Sequence, residues 1–133
     1  MSGILDYDPE NNAQDLVAVE PGEYTLRIIS ARLQEGSRND PARVMIVVAY
    51  EITENPFAQE VMDWITIPHS GDSEKGRNRM NLKLRDFQRA AGADLTIEGP
   101  DELVGKEVVA VLGTREDDSY GTQNTIRRYL NQA

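Results

Sequence analysis

The stretch that decides the fold is GRNRMNLKLRDFQRAA, residues 76–91. Its apolar side chains Met80, Leu84 and Phe87 recur at steps of four and three residues, which places them on one side of a helix with 3.6 residues per turn. Gly92 follows the stretch, and glycine most readily takes the left-handed conformation that ends many helices. The pattern predicts an amphipathic helix that packs one stripe against the rest of the chain.

Strand-like runs lie on both sides of this helix. Three precede it and two follow it, at residues 24–33, 43–52, 61–67, 107–114 and 122–130. Alternating apolar and polar residues mark most of these runs, and a continuous run of valine, methionine and isoleucine marks the second. We therefore predict an all-β chain with one helix, a five-stranded OB-type Greek-key barrel with the helix between strands 3 and 4. Such barrels commonly bind single-stranded nucleic acid or oligosaccharide on an open face.

The charge of the chain is large and unevenly placed. Among 133 residues there are 23 acids and 14 bases, which opposes casual binding to a phosphate backbone. Residues 1–23 contain no base and carry six of the acids, Asp6, Asp8, Glu10, Asp15, Glu20 and Glu23. We interpret residues 1–19 as a flexible acidic N-terminal arm and residues 20–133 as the OB-type domain. The chain after residue 23 carries 17 acids and 14 bases, a net charge of only −3, which weakens the electrostatic objection to nucleic acid.

Residues that carry chemistry are scarce. The chain has no cysteine and one histidine, His69, so nucleophilic triads and zinc sites lack their parts. The glycines do not have the spacing of a phosphate-binding loop, and the most apolar run, residues 44–50, is too short to cross a membrane. We expect no enzymatic activity, no cofactor, no metal ion and no membrane partner. The expected location is the cytoplasm, or the host cytoplasm if a phage encodes the chain.

Bases and aromatic rings suited to a single strand are present on the predicted strands and loops. Single-strand binders combine a positive groove with flat side chains on which bases stack, and the groove of an OB barrel lies on strands 2 and 3 between two loops. The candidate nucleic-acid-binding residues are Arg38, Arg43, Tyr50, Trp64, Arg115, Tyr120 and Arg127.

Several of these candidates have a structural alternative. Tyr50 shares a strand face with Val48 and is favoured as a core residue, whereas Trp64 fits the groove and the core equally well. Arg127 and Arg128 should point to opposite faces, so that at most one of them serves the groove. The bases of the helix spread around its axis and are interpreted as a solvated surface.

Short motifs in the domain resemble a known group of proteins. They are VEPGEY at residues 19–24, LVGKEV at residues 103–108, and NTI at residues 124–126 followed by Tyr129. The chain resembles, over about residues 19–130, phage and prophage proteins long catalogued only as a domain of unknown function. The resemblance implies an OB-fold single-stranded DNA-binding protein. The genes of the similar proteins lie in replication or recombination gene neighbourhoods.

The acidic arm departs from that resemblance. Many single-strand binders end in an acidic tail that recruits partners, whereas here residues 127–133 read RRYLNQA. Ile4, Leu5 and Tyr7 lie among the acids of the arm, and we hypothesise that they bind replication or recombination proteins. The alternative is that the arm covers the groove and competes with DNA.

The first functional expectation is a sequence-independent single-stranded DNA-binding protein of phage DNA replication or recombination. The alternative is an OB-like protein-binding adaptor or virion component without affinity for nucleic acid, which the acidic balance favours. Leu82 falls opposite the apolar stripe of the helix and is a candidate contact for a homo-oligomer, or a single exposed leucine of no consequence.

Overall fold

The computed structural model describes residues 4–36, 38–93 and 99–130 of the chain. It contains the strands β1 (Gly22–Glu35), β2 (Val44–Ile52), β3 (Val61–Ile67), β4 (Glu107–Asp117) and β5 (Gly121–Leu130), with the helices α1 (Pro9–Asn12) and α2 (Glu74–Ala91). A 3-10 helix, Pro100–Leu103, precedes β4. The predicted order of three strands, a helix and two strands is confirmed.

A second α-helix, α1, lies in the arm and was not predicted. Asp8 caps it, because its side-chain carboxylate accepts a hydrogen bond from the backbone N–H of Glu10 at 3.0 Å, and Pro9 occupies the first turn. The prediction of one helix is therefore corrected, at a position where the sequence predicts a flexible arm.

All five strands form one antiparallel sheet in the order β3-β2-β1-β4-β5. In the part of the chain that the structure describes, β3 and β5 are the two edges, so the sheet is open. The fold is thus mainly β, and backbone pairing does not close the barrel that the sequence predicts.

Two β-bulges change which way the side chains of the sheet point. Ile28 pairs with Tyr50 and Ser30 with Ala49, so Ile29 is the extra residue in β1. A bulge shifts the alternation of side chains between the two faces of a strand. Ala31 is consequently buried after the bulge, although it is three residues from the buried Ile28.

Helix α2 covers one side of the sheet and packs on β3, β4 and β5. The Ser73 side chain caps its N-terminus. Gly92 ends the helix with a left-handed φ of 63°, and this C-terminal cap is the one that the sequence predicts. Phe87 is fully buried within the apolar stripe, whereas Leu82 is 41% exposed and remains the candidate for self-association. No helix among the described residues has both the length and the apolar character needed to cross a membrane.

The core contains a chain of hydrogen bonds that joins the two edge strands. The Tyr129 hydroxyl donates to Asp63 Oδ2 at 2.6 Å, and the hydroxyls of Tyr50 and Tyr129 lie 2.8 Å apart. Because a carboxylate only accepts, Tyr129 uses its proton on Asp63 and Tyr50 donates to Tyr129. On the other side, Lys83 Nζ donates to Asp63 Oδ1 at 2.9 Å. The bonds therefore connect β2, β5, β3 and α2 in turn.

Burial raises the pKa of both tyrosines, so their hydroxyls stay neutral. Tyr50 has no exposed surface, and Tyr129 packs edge-on against Phe87 at a ring-centre distance of 5.4 Å. The candidate assignment of Tyr50 to nucleic-acid binding is corrected by this placement, because a fully buried ring offers no face to a base.

Candidate nucleic-acid interface

The side of β1, β2 and β3 that faces away from the core carries three cross-strand rows, which we call the outer face. Residues paired directly across antiparallel strands point to the same side of the sheet. The rows, read from the pairing of the strands, are Ser30–Ala49–Met62, Arg32–Val47–Trp64 and Gln34–Met45–Thr66. These side chains include no carboxylate and one guanidinium, in a chain whose net charge is −9.

Trp64 lies at the centre of the β3 column of the outer face. Its side chain is 45% exposed, whereas its neighbour Ile65 is fully buried in the core. Val47, the cross-strand partner of Trp64, is only 2% exposed although it lies on the outer side. The core alternative for Trp64 is therefore wrong, and the groove alternative stays a prediction.

A groove of ≈ 380 Å³ separates β3 from β5 and reaches the β4–β5 hairpin. Met62 and Trp64 line its β3 side, and Arg115, Tyr120 and Gln123 line the hairpin side. Three predicted residues, Trp64, Arg115 and Tyr120, therefore come together here, although Trp64 precedes the hairpin residue Arg115 by 51 positions in sequence.

The hairpin loop holds Tyr120 outward. Asp117 Oδ1 accepts hydrogen bonds from the backbone N–H groups of Ser119 at 2.7 Å and Tyr120 at 3.0 Å, which is typical of aspartate in a turn. Gly121 then takes a positive φ of 72°. The Tyr120 ring is 74% exposed as a result, so one of its faces is open to a ligand.

Arg127 lies at the second bulge of the sheet. Val111 pairs with Arg128 and Leu112 with Ile126, which leaves Arg127 as the extra residue of β5. Its guanidinium stem lies over Gly113, where a β-carbon would come within 2.2 Å of Arg127 Nε. Arg127 and Arg128 are both exposed, so the prediction that strict alternation sends them to opposite faces does not apply at this bulge.

Arg43 is placed differently from the prediction. Its Nη1 donates to Asp72 Oδ2 at 3.0 Å, its Nε donates to Asp40 Oδ2 at 3.1 Å, and its side chain is only 16% exposed. The hydrogen bonds with Arg43 hold the pKa of Asp72 well below its usual value, and those with Asp72 raise the pKa of Arg43. Arg43 is corrected from a candidate DNA contact to a structural cation, because two carboxylates already occupy its donors.

His69 belongs to the same polar cluster. Its Nδ1 accepts from the backbone N–H of Gly71 at 2.9 Å, so its proton lies on Nε2, which is 3.2 Å from Asp40. The hydrogen bond from His69 lowers the pKa of Asp40. The cluster joins the β1–β2 loop to the end of β3, and it leaves Arg38, exposed in that loop, as the loop's candidate contact.

Arg32 is a candidate that the sequence did not yield. Simple alternation from Leu26 and Ile28 would place Arg32 on the core side, but the bulge at Ile29 turns it outward into the row of Trp64. The sequence did contain an indication of this bulge. An arginine at an expected core position, next to the small apolar Ala31, indicates that the alternation of inward and outward side chains shifts by one residue.

The arginines of the sheet divide into two groups by their partners. Arg27 lies between Glu51 and Glu107 at 3.0 and 3.2 Å, and this ion pair neutralises it. Arg32 and Arg115 contact only the side-chain amides of Gln34 and Gln123, each at 3.5 Å. Within the described residues, the side chains of Arg127 and Arg128 make no hydrogen bond or ion pair. Four guanidinium groups of the sheet are therefore available to an anion.

The root of the acidic arm is attached at one end of the groove. Val17 forms a parallel bridge with Ala58 just before β3, and Asn124 of β5 exchanges two 2.9 Å hydrogen bonds with the backbone of Val19. Beyond this root, the candidate partner-binding side chains are open to solvent, with Ile4 100%, Leu5 49% and Tyr7 60% exposed.

Comparison with known proteins gives a family without an assigned activity. The family model described as "Protein of unknown function (DUF669)" matches residues 6–131 of the chain. No curated protein matches the chain.

Proposed function

The chain belongs to the DUF669 family, and we propose that it is a sequence-independent single-stranded DNA-binding protein. One observation carries the proposal. A half-exposed tryptophan stands among three cross-strand rows that contain no carboxylate, in a protein whose net charge is −9. It borders a groove lined by Arg115 and Tyr120, which also contains the carboxylates of Glu60, Asp63 and Asp117. Clustering of this kind is expected of a surface selected to accept an anionic chain with flat bases.

The proposed mechanism uses stacking for the bases and arginine for the phosphates. A base stacks on the Trp64 ring, and a second stacks on Tyr120 across the groove, which requires bases that are not paired in a duplex. Arg32 contacts a phosphate on the β1 side of Trp64, and Arg115 contacts a phosphate beside Tyr120, because neither arginine has a carboxylate partner. Every base has an aromatic face, so stacking gives affinity with little dependence on sequence.

The proposal includes the OB-type Greek-key barrel as the finer description of the fold. The strand order brings β3 and β5 to opposite edges, and the Tyr129–Asp63 hydrogen bond links these edges across the core. Partly open barrels of this type bind polymers on the face of strands 2 and 3. The location of Trp64 on β3 supports the same description.

The resemblance of residues 19–24 and 103–108 to phage and prophage proteins supports a setting for this binding. We place the protein in phage DNA replication or recombination, acting on exposed single strands in the host cytoplasm. A protein-binding adaptor or virion component is the second candidate, favoured by the net charge of −9 and by the exposed apolar side chains of the arm.

Titration of fluorescein-labelled oligo-dT, with a duplex of equal length as the comparison, tests the proposal at two salt concentrations. We expect binding to the single strand that weakens with salt, because each neutralised phosphate releases about 0.7 counterions. Arg115→Gln should lower the slope of log affinity against log salt by about 0.7. Arg85→Gln is the control, since Arg85 lies on α2 and pairs with Asp86. Absence of affinity at low salt would favour the adaptor.

Deletion of residues 1–15 tests the role of the arm while it keeps the attachments of Val17 and Val19. The hydrogen bonds of α1 and its caps are all local, such as Asn11 to Asp8 at 2.7 Å, so we expect the arm to recruit proteins rather than cover the groove. Affinity for oligo-dT should then change little, while capture of replication or recombination proteins is lost. Tighter DNA binding with a steeper salt slope would instead show that the arm competes with DNA.

A further inference from the structure

The groove between β3 and β5 has walls of different chemistry, and this difference bears on which base enters it. This inference rests on the proposed function. Arg115 provides a cation on the hairpin wall, and Glu60 provides a carboxylate at the start of the β3 wall. A phosphate is attracted to the Arg115 side and repelled by Glu60. The sugar-phosphate chain should therefore pass along the hairpin wall with its base directed towards β3.

Glu60 is the groove carboxylate whose oxygens are open to a hydrogen bond from a ligand. Asp63, which also lines the groove, is occupied by Tyr129 and Lys83, and Asp117 is held by two backbone N–H groups of its turn. Glu60 is exposed and makes no hydrogen bond or ion pair with the described residues.

Two amides add to the polar groups of the groove. Gln123 Oε1 accepts from Arg115 Nη2 at 3.5 Å, which leaves the Gln123 Nε2 group free to donate. Gln59 Nε2 donates to the backbone carbonyl of Leu16 at 3.4 Å, which leaves the Gln59 oxygen free to accept. The groove therefore offers acceptors on the β3 wall and an amide donor on the hairpin wall.

From this arrangement we infer that the groove is a base-preference site for a nucleobase with an exocyclic amine beside a ring nitrogen acceptor, as in cytosine and adenine. The base is directed towards the β3 wall, so its amine donates to Glu60, whereas the amide of Gln123 lies on the opposite wall beside the sugar-phosphate chain. Thymine and uracil present a carbonyl oxygen where the amine would be, and this oxygen faces the Glu60 carboxylate unfavourably. The volume of ≈ 380 Å³ lies at the lower end of small-ligand sites, which suits one base.

The test compares oligo-dC with oligo-dU of equal length on the full chain, at mildly alkaline pH so that oligo-dC stays single-stranded. These polymers differ at position 4 of the ring and in the proton on N3, so stacking and backbone contacts are matched. We expect the affinity for oligo-dC to be higher by about fivefold or more. Equal affinity for both would overturn the base preference and leave DNA binding intact, whereas no binding to either would overturn the proposed function.

A pair of charge-matched variants locates the preference. Glu60→Gln should bring the dC to dU affinity ratio close to one, because the amide can donate to uracil O4 as well as accept from cytosine. Glu54→Gln removes the same charge from an exposed position outside the groove and should preserve the ratio. A ratio that survives Glu60→Gln in a folded protein, checked by circular dichroism, would overturn the assignment of Glu60.

Discussion

Replacing Trp64 with alanine is expected to weaken binding to single-stranded oligo-dT by about 5- to 150-fold, which corresponds to about 1–3 kcal/mol. The ring is half exposed on the outer face and borders the groove, so a base can stack on it without displacing core residues. Its loss removes the stacking surface and leaves the guanidinium of Arg32 in place. Fluorescence anisotropy at fixed low salt measures the change, and the salt slope should remain nearly constant.

Phe57→Ala is the matched control for this loss. Phe57 and Trp64 are each 45% exposed, but Phe57 lies in the β2–β3 loop away from the outer face. Trp64→Phe keeps a flat ring and should retain most of the affinity. If Trp64→Ala binds as tightly as the unaltered chain while its thermal unfolding is unchanged, the outer face is not the stacking surface.

The secondary structure was largely readable because hydrophobic periodicity is a local property. Strand β3 matches its predicted bounds, and Gly92 lies at the C-terminus of α2 as predicted. The helix begins at Glu74, two residues before its predicted start, because Ser73 caps it there. Glycine after the last apolar position limits the helix through its own backbone preference. Such signals need no knowledge of the tertiary fold.

The faces of the strands were harder to predict because bulges depend on pairing between strands. The neighbours Ala31 and Arg32 indicate that the alternation shifts somewhere within residues 24–33, but the pairing with β2 is needed to locate the extra residue at Ile29. This extra residue decides that Arg32 joins Trp64 on the outer face. The bulge at Arg127 likewise changes the expected separation of two neighbouring arginines. Register is set by both strands of a pair, and one strand alone does not reveal it.

The errors in the candidate site have a shared physical cause. Arg43 and Tyr50 are reasonable nucleic-acid contacts by residue type, but their partners Asp72 and Tyr129 lie 29 and 79 positions away. The side chain most ambiguous in sequence, Trp64, became the clearest candidate once its neighbour Ile65 was located in the core. Availability of a side chain is a tertiary property, so composition cannot determine it.

The distribution of ion pairs would allow an acidic protein to keep the anion-binding surface that we propose. Arg27 and Arg43 are each neutralised by two carboxylates, whereas Arg32 and Arg115 lie next to amides. Net charge acts over the Debye length, about 8 Å at physiological salt, so local arrangement decides the interaction with a bound strand. The acids elsewhere on the protein would mainly repel DNA that approaches other parts of the surface.

Tyr129→Phe is expected to lower the free energy of unfolding by about 1–3 kcal/mol, more than Tyr50→Phe does. Removing the Tyr129 hydroxyl breaks the bond to Asp63 and also leaves the hydroxyl of Tyr50 buried without an acceptor. Removing the Tyr50 hydroxyl breaks only one bond, and Tyr129 still donates to Asp63. Urea unfolding followed by circular dichroism gives both values from the midpoint and slope.

The comparison of the two variants tests the direction of the hydrogen-bond chain and the link between the edge strands. The double variant Tyr50→Phe/Tyr129→Phe should cost little more than Tyr129→Phe alone, because no buried hydroxyl is then left unpaired. An equal or larger loss for Tyr50→Phe would mean that Tyr50 donates elsewhere and that the proton order is wrong. Since the buried Tyr129–Asp63 bond joins β5 to β3, the two strands that border the groove, Tyr129→Phe should also weaken DNA binding, while Tyr50→Phe should leave it nearly unchanged.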